Sequence, residues 1–184
     1  MNLFELIASD YKKHKKYGGN FFTIVFFTQG FWAVFQYRIA HLIFSNIKLQ
    51  PFRLLFTFLG LLSQKTIEII TGISIPASAK IGHSFYIGHF GGIIINANAI
   101  IGNNCNISQG VTIGVSGRGT NRGVPVIGDE VYIGVNAVIS GSIIIGNQVV
   151  IGSCSLVNTS LEENSVVLGV PAIVISKNGS KGYI

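Results

Sequence analysis

The apolar positions of this chain obey two different rules. From residue 75 onward isoleucine recurs every six residues, at Ile75, Ile81, Ile87 and Ile93. Two extra residues later the register resumes at Ile101, Ile107 and Ile113. After a longer interruption it returns at Ile127, Ile133, Ile139, Ile145 and Ile151, with Val157 next. Glycine often follows directly, as at Gly82, Gly102, Gly128 and Gly146. A period of six is neither the 3.6 of an amphipathic helix nor the simple alternation of a half-buried strand. It predicts a solenoid of short strands and tight turns, with one inward side chain per hexad stacked on its counterpart in the next coil. Glycine and small polar residues suit the corners, where the backbone needs unusual dihedrals. Three hexads close a triangular coil of 18 residues, so residues 75–173 give five to six coils. Such coils stack about 4.8 Å apart, the strand spacing.

Before residue 70 the pattern changes. The stretch Phe21–Phe44 is apolar but broken by Thr23, Thr28, Gln29, Gly30, Gln36, Arg38 and His41. Its uncharged run ends at Tyr37, short of the roughly 20 apolar residues of a spanning helix. A second apolar stretch, Phe52–Leu62, follows Pro51, which suits the first turn of a helix. The segment reads as two or three helices. An apolar stretch starting some twenty residues in, without a clean cleavage site, argues against a signal peptide.

Composition separates the chain at the same place. Residues 1–70 hold 11 of the 13 Phe and 8 of the 13 Lys and Arg, but only 4 of the 23 Gly. Their charge is 8 − 3 = +5, against 5 − 4 = +1 for the rest, so the chain's +6 belongs mainly to the first segment. The basic cluster at residues 10–16 reads as a solvated helix end or as an attraction to anionic lipid headgroups. Aromatics and lysines are not interleaved on any nucleic-acid module. Two cysteines, Cys105 and Cys154, are too few for a disulfide framework, and neither has the surroundings of a nucleophile. No HxxxH, CxxC or Asp-rich loop offers a metal cage, so no metal is expected.

The hexads also distribute the candidate chemistry. His89 is the third residue of its hexad and points outward at a corner, with Gln109, Val135 and Ser153 along the same edge. His83 falls on a different edge, with Asn103, Asp129 and Asn147. A neutral imidazole suits removal of a hydroxyl proton near pH 7. The interruption from Gly114 to Pro125 reads as an extruded loop carrying Arg118 and Arg122, suited to an anion.

Repeats of this form resemble the left-handed parallel β-helix acyltransferases. The run His89-Phe90-Gly91-Gly92-Ile93-Ile94-Ile95 through Gln109-Gly110-Val111-Thr112-Ile113-Gly114, and the ending Gly169-Val170-Pro171-Ala172, resemble the serine acetyltransferase branch over residues 71–175. The resemblance implies a mainly β fold, a left-handed parallel β-helix, preceded by an N-terminal α-helical segment. It implies three regions: helices over 1–70, a catalytic β-helix over 71–175 with its extruded loop at 114–126, and a tail over 176–184. It implies acetyl-CoA as co-substrate, a homotrimer with sites between subunits, and His89 as the catalytic base. Asn96, Gln109, His83, Arg118 and Arg122 become candidates for binding the acceptor or orienting the imidazole. Gly114, Gly134, Val135, Ala137, Gly152, Ser153 and Lys177 become candidates for the coenzyme.

Three positions depart from that branch. Val124 stands before Pro125 where the family carries a second histidine, and Gly88 and Ser74 stand where it carries aspartates. These departures, with Tyr37-Arg38-Ile39-Ala40-His41, lead to the expectation of a sugar hydroxyl as acceptor, on a surface-polysaccharide or lipid-linked saccharide precursor. Serine O-acetylation for cysteine synthesis is the alternative, and a non-catalytic β-helix scaffold a second. A cytoplasmic location follows, with peripheral contact at the inner membrane face through residues 10–64, or oligomer packing there instead.

Overall fold

A computed structural model describes residues 1–47, 50, 52–119 and 122–184. Pro51, and Thr120 and Asn121 of the interrupting loop, lie outside the described residues. Four helices precede the strands: α1 (Leu3–Lys16), α2 (Phe21–Phe27), α3 (Gln29–Asn46) and α4 (Phe52–Thr71). The sequence pattern led to two or three. α1 carries a capping box, in which Asn2 accepts from the Glu5 N–H and Glu5 reaches back to the Asn2 N–H. Asn20 and Thr23 repeat the device at the head of α2.

Fifteen short strands follow among the described residues, β1 to β15 in chain order, in three sheets. One contains β1 (Ile73–Ser74), β4 (Ile93–Ile95), β7 (Thr112–Gly114), β10 (Val138–Ser140) and β13 (Leu156–Val157). The second contains β2 (Lys80–Ile81), β5 (Ile100–Ile101), β8 (Val126–Ile127) and β11 (Ile144–Ile145). The third contains β3 (Tyr86–Ile87), β6 (Asn106–Ile107), β9 (Tyr132–Ile133), β12 (Val150–Ile151), β14 (Val166–Gly169) and β15 (Ala172–Ser176). All pairings are parallel except β14 with β15, which turn back at Val170-Pro171. The chain thus visits the three sheets in rotation, as a parallel β-helix.

The isoleucine register is the core. Ile81, Ile101, Ile127 and Ile145 stack through the second sheet, and Ile87, Ile107, Ile133 and Ile151 through the third. The coil from Ile127 to Ile145 advances 18 residues, whereas the first advances 20, as in Ile81 to Ile101, and the last 16, as in Ile151 to Val167. The two extra residues are taken up at the corner holding His89. At the corner after the second sheet, Ser84, Asn104, Glu130, Gln148 and Asn164 each adopt a φ of 55–60°. Gly82 and Gly102 precede them because a Cβ on Gly82 would lie 2.7 Å from the Gly102 backbone.

The helices cap the first coil. Gly30 of α3 packs against the Ile87 carbonyl so closely that no Cβ fits. Tyr37 donates from its hydroxyl to the Ala79 carbonyl (2.8 Å) and accepts from the Ile81 N–H (3.2 Å), and burial pushes this phenol up to about 12. Arg38 forms a bidentate pair with Asp10 (2.8 and 3.1 Å) and also donates to the Ile81 and Gly82 carbonyls. Asp10 in turn accepts from the Phe85 N–H at 2.8 Å. The stretch Tyr37 to His41 is therefore a joint between α3 and the first coil, with His41 Nδ1 2.7 Å from the Ala77 carbonyl.

The basic cluster at 10–16 is split by the helix. Asp10, Lys13 and His14 are buried, whereas Lys12, Lys15 and Lys16 are exposed, so only half of it is a solvated face. Lys13 donates to Asn104, and burial, followed by repulsion from Lys16, pushes its ammonium down to about 8. The unfolded chain holds that proton up to about 10.5, so folding releases it between these values and stability rises with pH there. Chemical denaturation from pH 7.5 to 10 is expected to show a gain of at most about 3 kcal/mol. In Lys13→Met that rise should disappear.

Candidate active site

His89 sits between β3 and β4, at the corner joining the third sheet to the first. Two contacts fix this corner from below. The Gly91 N–H donates to the Thr71 carbonyl (2.9 Å), and Gly72 leaves room for Gly91, a Cβ there falling 3.0 Å from the Gly91 Cα. The His89 ring and its neighbour Phe90 are exposed. No hydrogen bond holds the imidazole among the described residues. It is presented outward on a rigid corner, free to meet a hydroxyl.

The next coils build the edge above it. Gly110 donates to the Gly91 carbonyl, Asn136 to that of Gln109 and Cys154 to that of Val135. Gln109, Val135 and Ser153 therefore share the His89 corner, as the register requires. Gln109 is half-buried, and its Oε1 is buried without a partner among the described residues. An orphaned buried acceptor costs about 1–3 kcal/mol, which marks this amide as available to a donor brought by a ligand.

Other candidates lie elsewhere. His83 belongs to the corner after the second sheet, where its N–H donates to Asn103 Oδ1 (3.1 Å), Asn103 donates to Asp129 and Asp129 to Asn147. That amide ladder accounts for His83 as a turn residue. Asn96 does not reach His89. It lies beyond the far end of β4, a strand about 10 Å long, and its Oδ1 accepts from the Asn98 N–H. Arg118 and Arg122 are exposed on the loop at the corner after the first sheet, away from His89 within one chain. The loop is pinned by paired bonds between Ser116 and Gly123 (3.1 and 3.0 Å).

The coenzyme candidates divide as well. Gly134, Val135, Gly152 and Ser153 line the His89 edge, with a Cβ on Gly134 falling 2.7 Å from the Ser153 nitrogen. Gly114 opens the loop at the opposite end of the first sheet, so it does not continue that edge. Ala137 is fully buried and its methyl faces the core. Lys177 pairs with Glu162 (2.7 Å) and Ser165 beside Gly146 and Asn147, another corner again. Cys105 is fully buried, and burial pushes its thiol up to about 12, which leaves it inert.

The three departures have local causes. A Cβ on Gly88 would lie 3.1 Å from the Tyr86 ring, and that ring is stacked on Tyr17 at 4.3 Å. Val124 packs against the core and Pro125 is buried, folding the loop end inward. Ser74 donates to Glu68 Oε1 at 2.7 Å. Burial alone would raise the Glu68 carboxyl, but bonds from Lys65, Ser74 and Gln64 outweigh it and hold the group below its ordinary range. Helix α4 thus delivers a carboxylate to position 74, which the sequence conceals because six residues and a change of element separate the two.

A stacked-isoleucine β-helix with an exposed corner imidazole and a glycine-lined edge above it defines a hexapeptide-repeat acyltransferase. No family model matches the chain. It is 33% identical over 162 residues to the serine acetyltransferase of Bacillus subtilis (strain 168), covering 88% of this chain and 71% of that one. The solved serine acetyltransferase of Neisseria gonorrhoeae in complex with serine superposes with a TM-score of 0.80 at 29% identity, covering 95% and 69%. A serine acetyltransferase in complex with CoA superposes with a TM-score of 0.78 at 29% identity, covering 94% and 69%. The chain belongs to the serine acetyltransferase family. Its fold is the left-handed parallel β-helix preceded by α-helices, and it is an acetyl-CoA-dependent acyltransferase.

These relatives overturn the expectation of a saccharide acceptor. They are serine acetyltransferases, which matches the alternative instead. The expectation rested on reading Gly88, Ser74 and Val124 as a changed acceptor site, whereas each has a packing or hydrogen-bonding cause in this chain. The non-catalytic scaffold falls with the same finding.

Proposed function

We propose that this chain is a serine O-acetyltransferase in which His89 is the general base. The carrying observation is the kinship with serine acetyltransferases across most of the chain, joined to one exposed imidazole on the glycine-lined edge. The serine hydroxyl gives its proton to the imidazole as its oxygen attacks the acetyl-CoA carbonyl. The tetrahedral intermediate collapses, the carbon–sulfur bond breaks, and the imidazolium returns the proton to the departing thiolate. The products are O-acetylserine and CoA, and the base ends neutral. Proton transfer of this kind contributes about 10²–10⁴-fold.

Gln109 supports the reading as a polar contact for the acceptor on the His89 corner. The pantetheine arm is assigned to the edge of Gly134, Val135, Gly152 and Ser153. The division into 1–70, 71–175 and 176–184 belongs to the same proposal. So does a homotrimer, because Arg118 and Arg122 lie at a different corner from His89 and a neighbouring copy would bring such a loop to it. The enzyme would work in the cytoplasm, where acetyl-CoA is made.

The test is direct. The full chain, given acetyl-CoA and L-serine, is expected to release CoA with one O-acetylserine formed per thiol, read by thiol titration and mass spectrometry. Absence of O-acetylserine under saturating donor would overturn the acceptor assignment.

A further inference from the structure

The helices leave an apolar surface that the acyltransferase chemistry does not use. On α4, Leu54, Phe58, Leu61 and Leu62 are 51–70% exposed, and only 6% of its most apolar 18-residue window is buried. No charged residue interrupts it between Arg53 and Lys65. On α2, Phe22 and Phe27 are 68% and 74% exposed. Between α3 and α4 opens an apolar cavity of about 660 Å³, lined by Phe31, Trp32, Phe35, Ile39, Phe56 and Leu59. Trp32 donates its indole N–H to the Val25 carbonyl at 2.7 Å, so its polar edge is satisfied internally. Exposed apolar patches of this extent mark contact sites.

The charges around the patch select the occupant. Lys12, Lys15 and Lys16 project from α1, and the Tyr11 ring, one turn before Lys15, packs edge-on against Phe21 at 6.2 Å. Arg53 lies beside Phe44 and Leu54 at the far end of the groove. Among the described residues, Glu5 is the one exposed acid of this segment, and it is engaged in the Asn2 capping box. Apolar rings edged by cations match an anionic bilayer surface, where acyl chains take the rings and headgroups the ammonium groups. A two-fold contact with a second copy is disfavoured, because it sets each patch against itself and brings cations together.

Geometry also decides how deep the contact goes. The whole of α4 is about 30 Å long, but its uncharged stretch, Leu54 to Gln64, covers only about 16 Å, short of the roughly 30 Å hydrocarbon core, and Lys65 and Glu68 follow it. Its other end is tied to the prism through Glu68 and Thr71. The helix therefore lies in the interface rather than crossing it. We propose that the exposed face of α2 to α4, with the lysines of α1, is a monotopic docking surface for an anionic lipid bilayer. The proposal is independent of the acceptor assignment.

Vesicle flotation of the full chain tests it. Phosphatidylcholine vesicles with about 30 mol% phosphatidylglycerol are expected to carry the protein upward, at least about 10-fold more than phosphatidylcholine alone, with high salt reversing the difference. Phe58→Glu with Leu62→Glu should cut flotation by at least about 10-fold, with acetyl-CoA turnover and oligomeric mass by light scattering unchanged. Lys12→Glu with Lys15→Glu and Lys16→Glu, on an exposed helix end, should abolish the preference for phosphatidylglycerol without touching the apolar face. No flotation with either vesicle would overturn the proposal, as would equal flotation with both. A fall in oligomeric mass in the Phe58→Glu, Leu62→Glu chain would assign the face to self-association instead.

Discussion

Alanine at position 89 is expected to lower kcat/KM for acetyl transfer to serine by about 10²–10⁴-fold, the usual contribution of a positioned general base. The reasoning is structural as well as chemical. The His89 ring is exposed and bonded to nothing among the described residues, so its removal opens no cavity and orphans no partner. Thermal stability should therefore stay within about 0.5 kcal/mol of the parent. Acetyl-CoA binding by calorimetry should also persist, since the coenzyme edge lies in the coils above. The loss would then fall on the chemical step. Turnover near the parental rate would remove His89 from the mechanism. His83 could not inherit the role within one chain, because it belongs to a different corner.

The second large effect concerns stability. Asp10 and Arg38 are 1% and 3% exposed and form a bidentate pair that also bonds the Phe85 N–H and the Ile81 and Gly82 carbonyls. Asp10→Ala leaves a buried guanidinium without its counter-charge and the Phe85 N–H without an acceptor. Removing one partner of such a pair costs about 3–5 kcal/mol. For a chain of this size that corresponds to a fall in Tm of about 6–20 °C. Activity should suffer as well, because the same clamp seats α3, whose Gly30 lies on the Ile87 carbonyl just before His89. Asp10→Leu combined with Arg38→Met removes both charges, and much of the stability should return. If Asp10→Ala melts like the parent, the clamp does not carry the joint.

These two residues were not equally legible in the sequence. His89 follows from counting, since its place in a hexad fixes its corner and its outward direction, and Gln109, Val135 and Ser153 follow it. Cys105 as a buried inward thiol follows in the same way. Asp10 with Arg38 gave no signal, because a pair 28 residues apart has no period. Glu68 was in plain view but could not be assigned, since only the turn from α4 into β1 brings it to Ser74. The resemblance made Asn96, Gly114 and Lys177 candidates, and in the structure each lies away from the His89 corner. The mistaken acceptor also came from the resemblance, through the departures from it. Gly88 and Val124 were read as lost functional groups, whereas the Tyr86 ring and the core account for them.

By itself the sequence determined the prism. A side chain that recurs at a fixed interval and must leave water can be satisfied by one coil geometry, so periodicity translates directly into strands, corners and the edge bearing His89. It also separated a basic, aromatic segment from a nearly neutral repeat. Only the tertiary structure decided how the helices seat on the first coil, which half of the basic cluster is buried, and where Glu68 meets Ser74. Those outcomes depend on single contacts between residues far apart in the chain. Such contacts are selected by shape and by the need to satisfy buried charge, and neither leaves a repeating mark in the order of residues.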